Sequence, residues 1–92
     1  MIEFIARRMN GRNEDHSGIA QLKWIERQSG KTEISNVLPI LVDFVREHPG
    51  QSGVQGKSGK WVDVGVVEAQ PPHLRSYADG VYTNNLLELP EF

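Results

Sequence analysis

The sequence predicts a small α+β domain in which one amphipathic helix packs on one face of a mostly antiparallel sheet. Three observations indicate this class. Apolar residues alternate with other residues before residue 26, recur at spacings of three and four between Val37 and Val45, and alternate again after Lys60. Alternation is typical of a half-buried strand, and the other spacing is typical of a helix with one buried face. The expected order is β-β-α-β-β, with or without an extra short strand, followed by a C-terminal helical turn.

Two strands are predicted before the helix. The first runs from Ile2 to Arg8 and the second from Ile19 to Ile25, and both alternate with a period of two. The connection begins with Asn10-Gly11, which favours a turn, and it is shorter than a crossover requires. We therefore expect the two strands to pair antiparallel. The predicted inward face of the second strand comprises Ala20, Leu22 and Trp24.

The helix is predicted over Val37 to Val45. Asn36 is the expected N-cap, which places Pro39 at the third helical position, where its missing N–H would have no intrahelical partner. Pro49-Gly50 prevents the helix from continuing. The apolar residues that form the predicted buried face are Val37, Leu38, Ile40, Leu41, Phe44 and Val45.

The rest of the chain is predicted to complete the sheet. A short strand is expected around Ser52 to Gln55, and the valine-rich segment from Trp61 to Glu68 predicts a central strand. His73 to Tyr77 forms the last strand, which Asp79-Gly80 ends with a turn. Leu86 to Pro90 is expected to pack as a helical turn.

Size and composition restrict the protein further. The 92 residues can enclose one core, so one domain spanning residues 1–92 is expected. A net charge of -2 provides no overall positive field for attachment to a phosphate backbone. The sequence has no cysteine, which excludes disulfides, thiolate metal sites and cysteine nucleophiles.

No segment has the pattern of an export signal or of a membrane span. Arg7-Arg8 interrupt the apolar start of the chain, which therefore lacks the apolar core of a signal peptide. The longest apolar run, from Val37 to Val42, includes a proline and is far shorter than the ~20 residues that a spanning helix needs. We expect a cytoplasmic protein that does not contact the membrane.

The sequence contains no recognisable catalytic, metal or cofactor motif. His16, His48 and His73 lack the spacing of metal ligands, and surface or capping roles are expected for them. The segment from Gly50 to Ser58 ends in Gly-Lys-Ser, but its glycine spacing differs from that of a phosphate-binding loop. A helix is also predicted before it and a strand after it, the reverse of the order such a loop requires.

Two lysines lie beside a tryptophan at the start of the predicted central strand. Lys57 and Lys60 precede Trp61, a minimal version of the cation and ring combination that binds single-stranded nucleic acid. The alternative interpretation is structural: the lysines keep a hairpin soluble, and the indole covers the outer face of the sheet. Both interpretations remain open at the level of the sequence.

The last part of the chain contains Leu74-Arg75-Ser76, then Asp79-Gly80, and then Asn84-Asn85-Leu86-Leu87 and Leu89-Pro90. In these motifs it resembles a bacterial family called domain of unknown function 3892. In that family an extended segment ending in Leu-Arg-Thr leads through an Asp-Gly turn to Asp-Asn-Leu-Leu and Leu-Pro. The matching residues run from Leu74 to Gly80 and from Thr83 to Pro90. Ser76 replaces the threonine and Asn84 the aspartate, and both keep a side-chain oxygen. The resemblance implies no activity, substrate or cofactor.

Two hypotheses about function follow. The first is a non-enzymatic binding or accessory module, present as a monomer or weak homodimer. A protein partner is expected in preference to nucleic acid. The second is a small ligand-binding or hydrolytic enzyme with a polar groove at Arg75, Asp79 and Asn85, beside Asn84. The same segment also has a structural explanation, in which its leucines close the core and its Asp, Gly and Asn residues shape turns.

Overall fold

The computed structural model describes residues 1–11, 14–56 and 58–92, and these form seven strands and one helical segment. The α+β class predicted from the sequence is confirmed. The elements in chain order are β1 (Ile2–Met9), a 3₁₀ turn (His16–Gly18), β2 (Ile19–Glu26), β3 (Thr32–Asn36), a π-helical turn (Val37–Leu41), α1 (Val42–Glu47), β4 (Ser52–Gln55), β5 (Trp61–Val67), β6 (His73–Ala78) and β7 (Val81–Tyr82).

The described strands form one sheet in the order β3-β2-β1-β4-β5-β6-β7. All neighbours are antiparallel except β1 and β4, which pair in parallel at Ile2 and Ser52. The helical segment between β3 and β4 crosses the sheet and returns the chain to the middle, beside β1. A parallel pair needs such a crossover, whereas the other pairs are joined by hairpins or short loops.

The predicted pairing of the first two strands is confirmed, but the predicted inward face of β2 is incomplete. Leu22 is fully buried and Trp24 packs against the core, as expected. Ile19, which strict alternation places outside, is also buried. The pairing of β1 with β2 skips Ala20 between Gln21 and Ile19. Such an irregularity inserts an extra residue and reverses the alternation, so Ile19 turns toward the core.

The short strand β7 (Val81–Tyr82), which follows the segment expected to be the last strand, was not predicted. Nor was the third strand, Thr32–Asn36. It pairs with β2 at the edge of the sheet, and its one large apolar residue, Ile34, is 50% exposed. An edge strand with little buried surface has no clear alternation in its sequence. Asn36 therefore ends a strand and makes no side-chain capping hydrogen bond, contrary to the predicted N-cap. Its Oδ1 instead accepts a hydrogen bond from Gln21 Nε2 at 2.9 Å.

The helix begins later than predicted. Leu38 has extended backbone angles (φ -109, ψ 130), in agreement with the preference of a residue that precedes proline. Pro39 therefore does not occupy the third position of a regular helix. Leu38 and Ile40, assigned to the buried face by their spacing, are exposed as a result. No helix of the described chain is long and apolar enough to cross a membrane.

The C-terminal segment closes the core and joins the sheet. Leu86 is fully buried, and the predicted turn around it is present, with Leu89 N donating to Leu86 O at 3.3 Å. Beyond the short contact of β1 with β4, the chain end pairs with β1: Arg7 N donates to Pro90 O at 2.9 Å, and Phe92 N donates to Arg7 O at 3.0 Å. β4 thus pairs with the start of β1, and the last residues of the chain pair with β1 further along the same edge.

Candidate functional site

The candidate site is the solvent-facing side of strands β4 to β7, called the outer face below. The opposite side carries buried valines and leucines, so the alternate residues of each strand point outward. Gly53, Asp63, Tyr77 and Tyr82 are consecutive register partners and form one row across the four strands. Trp61 lies two residues before Asp63 on the same face. Three aromatic residues therefore lie on one side of neighbouring strands.

Trp61 is held in place by its neighbours on the outer face. Its Nε1 donates to Asp63 Oδ1 at 3.0 Å, and Arg27 lies over its ring at 5.1 Å from the centroid. The ring also packs directly on Gly53, where a Cβ atom would lie 2.5 Å from two ring carbons. Glu3 lies 3.8 Å from Arg27 and partly balances its charge. The indole therefore covers the outer face, in agreement with the structural interpretation of this residue.

The β6–β7 hairpin presents two tyrosines to solvent. Asp79 and Gly80 both have positive φ, 54° and 77°, and form the two-residue turn that the sequence predicted. Tyr77 and Tyr82 lie opposite each other, with ring centroids 6.3 Å apart and an interplanar angle of 72°. The two residues are 40% and 50% exposed. Together with Gly80 they line a groove of about 200 Å³.

Arg75 binds the residues that follow β7. Its Nε donates to Thr83 O at 3.3 Å and its Nη2 donates to Asn84 Oδ1 at 3.1 Å. The guanidinium also lies over the Tyr82 ring, 5.3 Å from the centroid. Arg75 and Asn84, both candidates from the sequence, are therefore in direct contact, and the contact orients Tyr82.

Asn85 belongs to a separate set of hydrogen bonds. Thr83 Oγ1 donates to Asn85 Oδ1 at 2.6 Å, which leaves the buried Ser76 hydroxyl as the donor to Thr83 Oγ1 at 2.7 Å. A Cβ atom at Gly56 would lie 3.2 Å from Asn85 Nδ2, so this amide faces the β4–β5 hairpin. These bonds position the chain immediately before Leu86.

The remaining candidates do not join these contacts. Lys57 lies outside the described residues. Lys60 is exposed at the β4–β5 hairpin, where its carbonyl accepts from Gly56 N at 2.8 Å. Asp79 is exposed at its turn. In the described part of the chain, no hydrogen bond or ion pair links Arg75, Asp79 and Asn85 to one another.

His16 is a feature that the sequence did not reveal. It was expected at the surface or at a cap, but it is only 6% exposed, and its Nε2 has no hydrogen-bond partner among the described residues. Burial, with smaller contributions from the positive charges of Arg75 and His73, lowers the pKa of His16 to about 4. The polar sequence around it, Asp15 to Gly18, contains no signal of burial.

The buried His16 makes stability depend on pH. The unfolded chain has an ordinary histidine pKa of 6.5, whereas the folded chain binds the proton only near pH 4. Stability should therefore fall as the pH decreases from 6.5 to 4, and with solvent screening near the surface we expect a loss of about 2 kcal/mol. Urea denaturation at several pH values measures this loss of stability. In His16→Phe this part of the pH dependence should disappear, whereas the control His48→Gln should keep it; an unchanged slope in His16→Phe would contradict the assignment.

The comparison with protein families concerns the part of the chain that contains most of the outer face. The model of a family described as a protein of unknown function (DUF3892) matches residues 54–90, which include β5, β6, β7 and the turn around Leu86. No curated protein and no solved structure matches the chain. The resemblance seen in the C-terminal residues is thereby confirmed: over residues 54–90 this chain matches the DUF3892 family, whose description assigns no function.

Proposed function

We propose that this protein is a non-enzymatic binding module that docks a protein partner on its outer face. The observation that supports the proposal is the combination of three aromatic rings with two arginines on one solvent-facing side of the sheet: Trp61, Tyr77, Tyr82, Arg27 and Arg75. Tryptophan, tyrosine and arginine are the residue types that dominate the energetics of protein interfaces. Trp61 packs on Gly53 beneath Arg27, and Tyr82 lies beneath Arg75, so these two rings lose little side-chain freedom on binding.

The same contacts disfavour nucleic acid as the ligand. A base can stack on Trp61 only where the ring is free, and Arg27 already lies over it. The carboxylate of Asp63 on this face, and that of Glu3 on the neighbouring strand β1, repel phosphate. The net charge of -2 adds to the repulsion at long range. A nucleic-acid ligand would instead require salt-sensitive binding that Trp61→Ala and Lys57→Ala weaken.

The enzyme hypothesis receives less support from the geometry. It requires Arg75, Asp79 and Asn85 to surround one substrate. Arg75 donates to Thr83 and Asn84, while Asn85 accepts from Thr83. These groups therefore serve the chain's own backbone and turns. Among the described residues no hydrogen bond or ion pair joins Arg75, Asp79 and Asn85 to one another, whereas a catalytic set has its groups around one reacting atom.

Photochemical crosslinking tests the proposed function. A photoreactive phenylalanine in place of Gln55, which is exposed opposite Trp61 on the outer face, should crosslink a protein in lysate of the source cells. The same group in place of Glu33, on the edge strand β3, is the control and should not capture that protein. Adding Arg27→Ala and Tyr82→Ala to the Gln55 variant should reduce the crosslinked product at least about fivefold. An undiminished product, or a product formed only with oligonucleotide, would contradict the proposal.

A further inference from the structure

The edge strand β3 forms an interaction surface separate from the outer face. It ends the sheet on the side opposite to β7 and does not belong to the strands that carry the aromatic residues. We propose that two copies of the chain associate by antiparallel pairing of β3 with β3 of the other copy, with Ile34 on the two-fold axis. The association goes beyond the proposed function, because it uses the backbone of a different part of the sheet.

The backbone of β3 has unused hydrogen-bonding groups on one side. Glu26 N donates to Lys31 O at 2.7 Å, and hydrogen-bonded pairs alternate along an antiparallel ladder. Every second residue from Lys31 onward therefore faces β2, whereas Thr32, Ile34 and Asn36 face away. No described residue forms a hydrogen bond with the N–H or C=O of Thr32 or Ile34, or with the N–H of Asn36. Such a row of groups accepts an extended strand.

In the described part of the chain, this edge lacks the features that usually prevent pairing. Proline, a bulge or an uncompensated charge keeps most edge strands apart. The strand Thr32–Asn36 contains no proline, and its register with β2 runs without interruption. Its one charged residue, Glu33, forms an ion pair with Lys31 at 3.2 Å. The opposite edge, β7, has only two residues, so β3 is the edge that can accept another strand.

The strand is complementary to itself about a two-fold axis at Ile34. The N–H of each Ile34 then donates to the C=O of the other, and the N–H of each Asn36 donates to the C=O of Thr32 in the other copy. The two Ile34 side chains, each 50% exposed in the single chain, lie side by side and shield each other from water. Glu33 lies opposite Ser35, so no carboxylate directly faces another. The second copy therefore supplies the match that the edge needs.

Other registers use less of the strand. A shift by one residue brings together backbone groups that already bond to β2. A shift by two toward the turn pairs Ile34 with Gly30, whose φ of 77° is not extended and whose N–H already donates to Glu26 O at 2.8 Å. A shift by two the other way centres the pair on Asn36, which directly precedes the π-helical turn. The register centred on Ile34 is therefore favoured.

Sedimentation equilibrium of the full chain tests the association. We expect a reversible dimer that dissociates below about 100 µM, since a single strand pair is a small interface. Ile34→Glu should weaken the dimer at least about tenfold, because two carboxylates then face each other across the axis. The single chain should stay folded, since Lys23 is the register partner of this position on β2.

Val81→Glu is the matched control for this substitution. Val81 is also a β-branched residue on an edge strand and is 65% exposed, but it lies at the other end of the sheet. The control variant should dimerise as the native chain does. A native chain that stays monomeric at millimolar concentration, or equal weakening by Ile34→Glu and Val81→Glu, would overturn the inference.

Single cysteines locate the axis. The native chain has no cysteine, so a disulfide formed by a single introduced cysteine must join two copies. Paired Cα atoms in an antiparallel ladder lie about 5.5 Å apart, within the range of a disulfide. Ile34→Cys should therefore form a covalent dimer at least about tenfold faster than Glu33→Cys, whose Cα atoms would lie more than about 7 Å apart. Equal rates in the two variants would overturn the register.

The crosslinking experiment on the outer face remains a separate test. Its control position, Glu33, lies on β3, so any product formed there should contain a second copy of the chain and not the partner captured from Gln55. Ile34→Glu should leave the capture from Gln55 unchanged. A strand of another protein paired with β3, while the chain itself stays monomeric, would replace the second copy and overturn the inference.

Discussion

Replacing Leu86 by alanine is expected to lower the free energy of unfolding by about 4 kcal/mol, because a leucine fully buried in a packed core leaves a cavity that neighbours fill only in part. Leu86 is 0% exposed and belongs to the same cluster as Phe4 and Leu74. Urea denaturation measures the change. Leu38→Ala is the matched control: it is the same substitution at a side chain that is 43% exposed, and we expect less than about 1 kcal/mol there.

Removing residues 86–92 should have a larger effect and unfold the protein. The deletion takes away Leu86 and the backbone hydrogen bonds of Pro90 and Phe92 to Arg7. It also removes the Leu89 carbonyl, which accepts from Arg7 Nε at 3.0 Å. A truncated chain should therefore lose the dispersion of its NMR spectrum. If it stayed folded, the C-terminal motif would not be needed for the core, and a direct role of its residues in binding would be strongly favoured.

Replacing Gly53 by alanine is expected to cost about 3 kcal/mol, at the upper end of what overpacking costs in a well-packed site. A Cβ atom there would lie 2.5 Å from two carbons of the Trp61 ring and 2.6 Å from Val62 O. The ring is held by Asp63 and Arg27, and moving the carbonyl would disturb the pairing of β4 with β5. Thermal unfolding and the NMR signal of the Trp61 indole N–H measure both effects.

Gly65→Ala is the control for this prediction. A Cβ atom at Gly65 would lie 3.1 Å from Tyr77 Cε1, its nearest neighbour, which belongs to an exposed side chain that can turn aside. We expect a loss below about 1 kcal/mol and little change in the Trp61 signal. Equal losses in the two variants would show that the close contact of Trp61 with Gly53 is not what makes this glycine necessary.

Much of the fold could be predicted because it depends on local patterns. Alternation predicted β1, β2 and β5, and the short connection predicted the antiparallel pairing of the first two strands. Asp79-Gly80 predicted its turn because few other residue pairs adopt positive φ at two consecutive positions. The leucines around residue 86 predicted a packed turn. Each of these features depends only on residues that are close together in the sequence.

The candidate site could be predicted in its residues but not in its arrangement. Trp61 and Arg75 were singled out by type and motif, whereas Tyr77, Tyr82 and Arg27 were not. The two tyrosines face each other only because β6 and β7 pair across the turn, and Arg27 reaches Trp61 from the turn after β2, which is distant in the sequence. Strand register decides which side chains are neighbours on the outer face, and alternation alone does not determine the register.

The sequence by itself determined the class of the fold, the first hairpin, the Asp79-Gly80 turn and the packing of the C-terminal leucines against the core. Only the tertiary structure decided that β3 joins the edge, that β1 and β4 pair in parallel, that Ile19 turns inward and that His16 is buried. The physical reason is the same in each case. These features depend on contacts between segments far apart in the chain, whose free energy outweighs the local preference of the residues involved.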